Sequence, residues 1–281
     1  MRILCTGSKG MVGNDLVKIL KGHQLITPSK AKLNVGNFEQ VMKFKDTDFI
    51  IHLAGETDHE YCEQNPSNCY FVNSIGTGNM VRLARTLDVP MLYLSTASVF
   101  NGTKGMPYTP FDLPNPINHY NTSKWYGELI TVAHKKHYIL RAGWMFGGGQ
   151  VIDKKFVNKI FWKIKAGERK IKVCNDCIGS PTYTKDLSKT IKHIIEDKHP
   201  YGTYNCANKS NGGVSRYDFA KKVVSFLGLS DKVKIIPCKI DDLKEEFPCR
   251  RTNYEVLQNN FSTMRDWEVA LKEYIRADYR H

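Results

Sequence analysis

The chain has 281 residues, 41% hydrophobic and 25% charged, with a formal net charge of +13 from 41 basic and 28 acidic side chains. That length exceeds one ordinary compact core and falls short of three, and the balance is that of an ordinary soluble protein. No apolar run approaches the roughly 20 residues of a membrane span. Met1 to Cys5 leads straight into a strand with no room for a leader, so the expectation is a cytoplasmic protein without membrane association. The basic residues fall in scattered doublets such as Lys135-Lys136, Lys154-Lys155 and Lys221-Lys222, not interleaved with aromatics. Nucleic acid is therefore not the expected partner. A basic field that draws in an anionic cofactor and substrate is the functional reading of the charge.

In chain order, apolar runs alternate with amphipathic stretches, as in a parallel sheet with helical crossovers. Arg2 to Thr6 predicts a first strand and Gly10 to Leu20 the helix after it. His23 to Thr27 predicts a second strand, Phe38 to Phe44 a helix and Phe49 to Ala54 a buried strand. Asn73 to Leu87 predicts a helix, Met91 to Ser95 a strand, Ser123 to His134 a helix, and Tyr138 to Arg141 the start of another strand. The pattern then loosens into helices over Lys155 to Ala166, Lys185 to Glu196 and Ser215 to Leu227, with a strand over Val233 to Ile236. The expected fold class is α/β: a Rossmann-type doubly wound parallel sheet over residues 1–147, and a smaller, partly interleaved C-terminal substrate-binding lobe over 148–281 with some segments returning to the first domain.

Three segments carry chemistry. Cys5-Thr6-Gly7-Ser8-Lys9-Gly10-Met11-Val12-Gly13 is a Gly-x-x-Gly-x-x-Gly loop between the first strand and its helix. Gly7, Gly10, Met11, Val12 and Gly13 are its expected cofactor residues, because such a loop turns tightly and brings backbone amides to a pyrophosphate. The second strand runs into Leu25-Ile26-Thr27-Pro28-Ser29-Lys30 with no acid for a ribose 2′-hydroxyl. Ser29 and Lys30, with Lys9 assisting, could instead hold a 2′-phosphate, so NADPH is expected, with NADH as the alternative. Finally, Tyr120 and Lys124 form a Tyr-x-x-x-Lys pair downstream of the hydroxyls Ser95-Thr96. Residues four apart share a helix face, so Lys124 is expected to reach the Tyr120 phenol and lower its pKa, giving a proton donor beside a hydroxyl that holds a carbonyl. The combination reads as an oxidoreductase.

The eight cysteines stand at 5, 62, 69, 174, 177, 206, 238 and 249. Cys174 and Cys177 are the one close pair, with no second pair and no histidines at ligand spacing, so free thiols and no metal are expected.

The sequence resembles the extended short-chain dehydrogenase/reductase family, and within it the dTDP-4-dehydrorhamnose reductase group. The resemblance rests on Leu94-Ser95-Thr96-Ala97-Ser98-Val99-Phe100-Asn101-Gly102, Met106-Pro107-Tyr108, Tyr120-x-x-x-Lys124-x-x-Gly127-Glu128, Val72-Asn73-x-x-Gly76-Thr77, Arg141-Ala142-Gly143-Trp144-Met145-Phe146-Gly147 and Gly179-Ser180-Pro181-Thr182-Tyr183. It implies that Thr96 holds a 4-keto oxygen, Tyr120 donates the proton, and Lys124 tunes Tyr120 and binds the nicotinamide ribose. It further implies that Ala54 and Gly55 pass under the cofactor, Trp144 packs near the sugar, and Arg251 meets the substrate diphosphate. The implied activity is NADPH-dependent reduction of the 4-keto group of a dTDP- or UDP-linked 4-keto-6-deoxy sugar, with a homodimer allowed.

Three positions depart from the group. Ala97 stands where it has Asp, and Thr252 and Glu255 depart from its Arg-Pro-x-x-Ser-x-Leu segment. Ala97-Ser98 replaces the Asp-Glu of 4,6-dehydratases, and Ser98 replaces the cysteine of bifunctional epimerase/reductases. A nucleotide-sugar epimerase or a bifunctional 3,5-epimerase/4-reductase remains the alternative on this fold. A non-catalytic regulatory subunit is the reading from another class.

Overall fold

The computed structural model describes residues 1–279. Its first half runs β1 (Arg2–Thr6), α1 (Met11–Ile19), β2 (Gln24–Ile26), α2 (Phe38–Val41), β3 (Phe49–His52), α3 (His59–Gln64), α4 (Pro66–Tyr70), a π-helical turn (Phe71–Ile75), α5 (Gly76–Leu87), β4 (Met91–Thr96), α6 (His119–Val132) and β5 (His137–Ala142). The second half runs β6 (Trp144–Phe146), α7 (Phe156–Lys165), β7 (Lys170–Cys174), β8 (Ile178–Gly179), β9 (Pro181–Tyr183), α8 (Thr184–Glu196), β10 (Gly202–Cys206), β11 (Val214–Ser215), α9 (Arg216–Phe226), β12 (Lys234–Cys238), β13 (Tyr254–Glu255) and α10 (Trp267–Asp278).

Six strands form one parallel sheet in the order β2-β1-β3-β4-β5-β10. Its central strands are mostly apolar and almost wholly buried, because helices cover both faces. Leu16, Leu187 and Ile191 seal one face, and Met80, Leu83 and Ala84 seal the other. The strand order reverses between β1 and β3, which opens a crevice at their carboxyl ends, the usual ligand position in such sheets. The glycine loop and residues 53–56 lie at that crevice. The outermost strand β10 comes from the second half of the chain, so the two halves interleave.

The smaller lobe is built on short pieces: β12 with β7, β11-β8-β13, and β6 with β9. Helices α7, α9 and α10 close it through Phe161, Phe219, Trp267 and Tyr274. These strands are too short and too irregular to show the period-2 signature of a sheet edge, and most of them carry no legible signal in the sequence.

Two helices differ from expectation in ways that matter for the site. The helix expected from Ser123 begins at His119, because the Asn118 side chain accepts the Asn121 amide at 2.8 Å and caps it. That shift of four residues puts Tyr120 in the first turn. The helix expected over Asn73 to Leu87 is preceded by α4 and a π turn, and the turn carries Asn73. Such π turns commonly mark functional positions. Other differences are at boundaries: β2 is shorter at both ends, α2 is one turn long, and β3 stops at His52.

Candidate active site

The floor of the crevice is set by a chain of buried hydrogen bonds. Thr6 Oγ1 lies 2.7 Å from His52 Nδ1, His52 Nε2 lies 3.2 Å from Thr77 Oγ1, and the Ala54 amide donates to Thr6 Oγ1 at 3.2 Å. Burial, with the nearby Lys124 charge, drives the His52 pKa down to about 3, so the ring stays neutral. This chain ties the end of β1 to the end of β3.

Above it, Gly7 has φ +70°, and a Cβ there would stand 2.7 Å from the Ala54 amide nitrogen. A Cβ at Gly13 would stand 2.4 Å from the Gly7 carbonyl oxygen, so loop and helix meet backbone to backbone. Gly10 caps α1 without a side-chain hydrogen bond, and no acid lies in the first turn. The amides of Met11, Val12 and Gly13 are thereby left to a phosphate. Ser29 is partly exposed and Lys30 exposed, both just beyond the carboxyl end of β2, the strand next to β1. Ala54 and Gly55 complete the floor. These residues fit a dinucleotide, since the cradle that a Cβ would fill is free of side chains and an anion has unpartnered amides to meet.

The reactive groups converge from β4 and α6. Thr96 ends β4, where its Oγ1 accepts the Ser98 amide at 3.1 Å and its hydroxyl also faces the Tyr120 phenol. Tyr120 is buried against the His59 ring, 4.4 Å between centroids. Lys124 donates to the Leu94 carbonyl at 2.8 Å and lies over the Tyr93 ring. A Cβ built on Gly55 would be 3.8 Å from its Nζ, which places the ammonium between α6 and the cofactor floor. Gly127 makes this closeness feasible: a Cβ there would fall 2.2 Å from the Tyr93 hydroxyl, so no larger residue lets α6 settle on β4.

One expectation needs correcting. The Lys124 ammonium donates to the Leu94 carbonyl and makes no hydrogen bond to the Tyr120 phenol. Burial pushes the Tyr120 phenol up, and the Thr96 hydroxyl is the group that pulls it back. Burial also lowers Lys124 itself, to about 7, against the pull of Glu128.

Trp144 and Arg251 lie on the side of the smaller lobe. Trp144 is buried, its Nε1 donating to Glu255 at 2.7 Å, and the Arg216 guanidinium lies 3.6 Å from its ring centroid. Arg251 donates to both Glu60 carboxylate oxygens, at 2.7 and 2.6 Å, so its charge is already matched.

Four residues that the sequence did not single out as site residues belong here as well. Asn73 receives the Glu56 amide at 2.8 Å and donates to Ser123 at 2.9 Å, fastening the loop after β3 to α6. His59 covers Tyr120 and is held neutral by burial and by the charges of Arg251, Lys155 and Arg216. Glu255 accepts from Ser98 at 2.7 Å, from Trp144 and from Thr252, so the residue that departs from the group's serine ties the smaller lobe to the segment after β4. Arg216 sits between Trp144 and Phe156 with no carboxylate at salt-bridge distance among the described residues. Burial, opposed by Glu255, lowers its pKa to about 10, so it remains charged at neutral pH. Its one advance signal was a lone arginine opening a helix, which marks nothing by itself.

Comparison with known proteins agrees with this geometry. The model of the RmlD substrate binding domain matches residues 1–280. The chain belongs to that family. It is 31% identical to a dTDP-4-dehydrorhamnose reductase of Mycolicibacterium smegmatis over 98% of this chain and 85% of the relative. A crystal structure of a dTDP-4-dehydrorhamnose reductase from Clostridium acetobutylicum superposes with a TM-score of 0.89 at 33% identity, covering 99% of each chain. The Bacillus anthracis dTDP-4-dehydrorhamnose reductase, solved in complex with NADP, superposes with a TM-score of 0.89 at 31% identity over 98% of this chain and 99% of that one. As an RmlD-family protein the chain has the Rossmann-like parallel sheet of six strands. No helix among the described residues is long and apolar enough to cross a membrane.

Proposed function

We propose that the protein reduces the 4-keto group of a nucleotide-activated 4-keto-6-deoxy sugar, using NADPH. The observation that carries this reading is the convergence of the Thr96 hydroxyl and the Tyr120 phenol beside Lys124, at the open end of a sheet whose glycine loop fits a dinucleotide. The loop amides from Gly7 to Gly13 would hold the pyrophosphate, Ser29 and Lys30 the 2′-phosphate, Ala54 and Gly55 the underside, and Tyr120 with Lys124 the nicotinamide ribose. When bound, the cofactor supplies hydride to the keto carbon.

The chain's own groups do the rest. Thr96 hydrogen-bonds the carbonyl oxygen and orients it. Tyr120 gives its phenolic proton to the oxygen as negative charge develops there, and Lys124 stabilises the phenolate that is left. The covering side chains of His59 and Trp144 keep water from the reacting carbon. Ser98 spends its hydroxyl on Glu255, which leaves no acid in the place where a bifunctional enzyme needs one for epimerisation.

The decisive experiment follows NADPH absorbance while the protein is offered dTDP- and UDP-4-keto-6-deoxy sugars, with and without a separate 3,5-epimerase. Oxidation only with the epimerase establishes a rhamnose-type reductase. Oxidation without it establishes direct 4-keto reduction or a built-in epimerase, which product stereochemistry separates. Cofactor binding with no turnover on any of these sugars overturns the proposal.

Arg216 supplies a sharper check on substrate binding. A crowded cation without a counter-ion is costly unless an anion completes it. With Lys155 and Arg251 nearby, the substrate diphosphate is the expected anion. Arg216→Met should raise KM for the sugar nucleotide by roughly 10- to 100-fold, the worth of a charge-assisted hydrogen bond, with kcat nearly unchanged. An unchanged KM in steady-state assays would show that the guanidinium merely packs on Trp144.

A further inference from the structure

We propose that Cys174, Asp176 and Cys177, completed by Cys238, form a binding site for a thiophilic divalent cation of the zinc class, in the smaller lobe. The two thiol sulfurs and a carboxylate oxygen of the turn between β7 and β8 all lie within 4.8 Å of one another. Thiolates held about 2.3 Å from a tetrahedral ion stand about 3.8 Å apart. The three donors therefore need to close by about 1 Å at most, a change within reach of side-chain rotation.

The pair Cys174 and Cys177 lacks a further ligand in sequence, and the fold supplies one. Strand β12 runs parallel to β7 in a register that makes Cys238 the partner of Cys174. Partners in register project from the same face of a sheet, so the third thiol is on the side of the first, though farther than 4.8 Å from at least one of the other donors, and would swing in as the ion binds. The Asn175 amide donates to the Cys238 carbonyl at 2.9 Å and fixes the turn against that strand. Asp176 is aimed by the Ile240 amide, which donates to its Oδ1 at 2.9 Å and leaves the second oxygen free.

Access and charge suit an ion. Asp176 and Cys238 are partly exposed while Cys174 and Cys177 are buried, so an ion enters from the solvent side and is shielded on the other. The Arg216 backbone meets the same turn, so its guanidinium is a nearby positive charge to set against the negative ligand set. Each thiol that binds releases its proton as the metal–sulfur bond forms, and no electron is exchanged. The Arg216 amide donates to the Cys177 carbonyl at 3.0 Å, so an ion here would stiffen the backbone that carries the guanidinium over Trp144. None of these steps depends on which reaction the cleft performs.

The test uses the full chain, reduced and freed of metal by chelation, and titrates it with cobalt(II). The expected result is one equivalent bound, with a thiolate-to-cobalt charge-transfer band that zinc(II) abolishes. Cys174→Ser and Cys177→Ser should lose the band, and Cys238→Ser should weaken it. Because a buried cysteine variant can fail to fold, Asp176→Asn provides the check on a partly exposed residue, and it should keep its circular dichroism and bind cobalt less tightly. No charge-transfer band in the native chain, a band that survives Cys177→Ser, or unchanged affinity in Asp176→Asn would each overturn the site.

Discussion

Replacing Tyr120 with Phe should lower kcat by about 10²–10⁴-fold, the usual loss when a general acid is removed. The substitution takes away one oxygen and keeps the ring, so packing against His59 and the neighbouring thiols of Cys62 and Cys69 should survive. NADPH binding should be largely kept, because the glycine loop that would hold the phosphates is separate from α6. Thr96→Ala should also slow turnover, and the double variant should cost less than the product of the two single losses, since both groups act on one oxygen. Single-turnover NADPH oxidation measures all three. If Tyr120→Phe turns over at close to the native rate, the proton comes from elsewhere and the role given to Tyr120 fails.

The largest effect on stability is expected from Glu128→Ala. Glu128 and Arg141 are paired at 2.7 Å with each side chain only 5% exposed, and Ser95 donates to the same carboxylate at 2.6 Å. Removing the acid leaves a buried guanidinium without its partner, which costs about 3–5 kcal/mol. Arg141 also donates to the Pro110 carbonyl at 3.2 Å, so the loop after β4 should loosen too. Denaturant unfolding should show the lower midpoint. Replacing both residues with Leu should recover much of the loss, because what is costly is the orphaned charge rather than the missing pair. If Glu128→Ala matched the native midpoint, Arg141 would have found another partner. Since α6 carries Tyr120, Lys124 and Glu128 together, this ion pair is also what keys the reactive helix to β4 and β5.

Much of the cleft was legible before the fold was known, and the reason lies in how local its devices are. A glycine loop acts through its own backbone, so Gly7, Gly10 and Gly13 announce a phosphate seat wherever a strand precedes and a helix follows. Tyr120 and Lys124 are one helical turn apart, so spacing alone places them together. Even there, locality had a limit. The pairing of phenol with ammonium was expected from that spacing, yet the Leu94 carbonyl, contributed by a strand thirty positions earlier, takes the ammonium instead.

The smaller lobe was far less legible. Its strands are two to five residues long, and a run that short holds too few alternations to distinguish strand from loop. Glu255 gathers donors from Ser98, Trp144 and Thr252, three segments that have no pattern in common. Arg216 shows its unpaired guanidinium only once Trp144 and Phe156 close around it.

Residue types and spacing thus decided the parallel sheet, the glycine turn between β1 and α1 and the nearness of Tyr120 to Lys124, because each depends on neighbours within a few positions or on an apolar run long enough to have a period. Only the tertiary structure decided which charge meets which, because burial sets those energies and burial belongs to the packed molecule. The clearest instance is Cys238, whose register with Cys174 depends on β12 choosing β7 as its partner. Strand pairing at that distance is governed by how the whole lobe packs, and nothing within sixty residues of either cysteine states it.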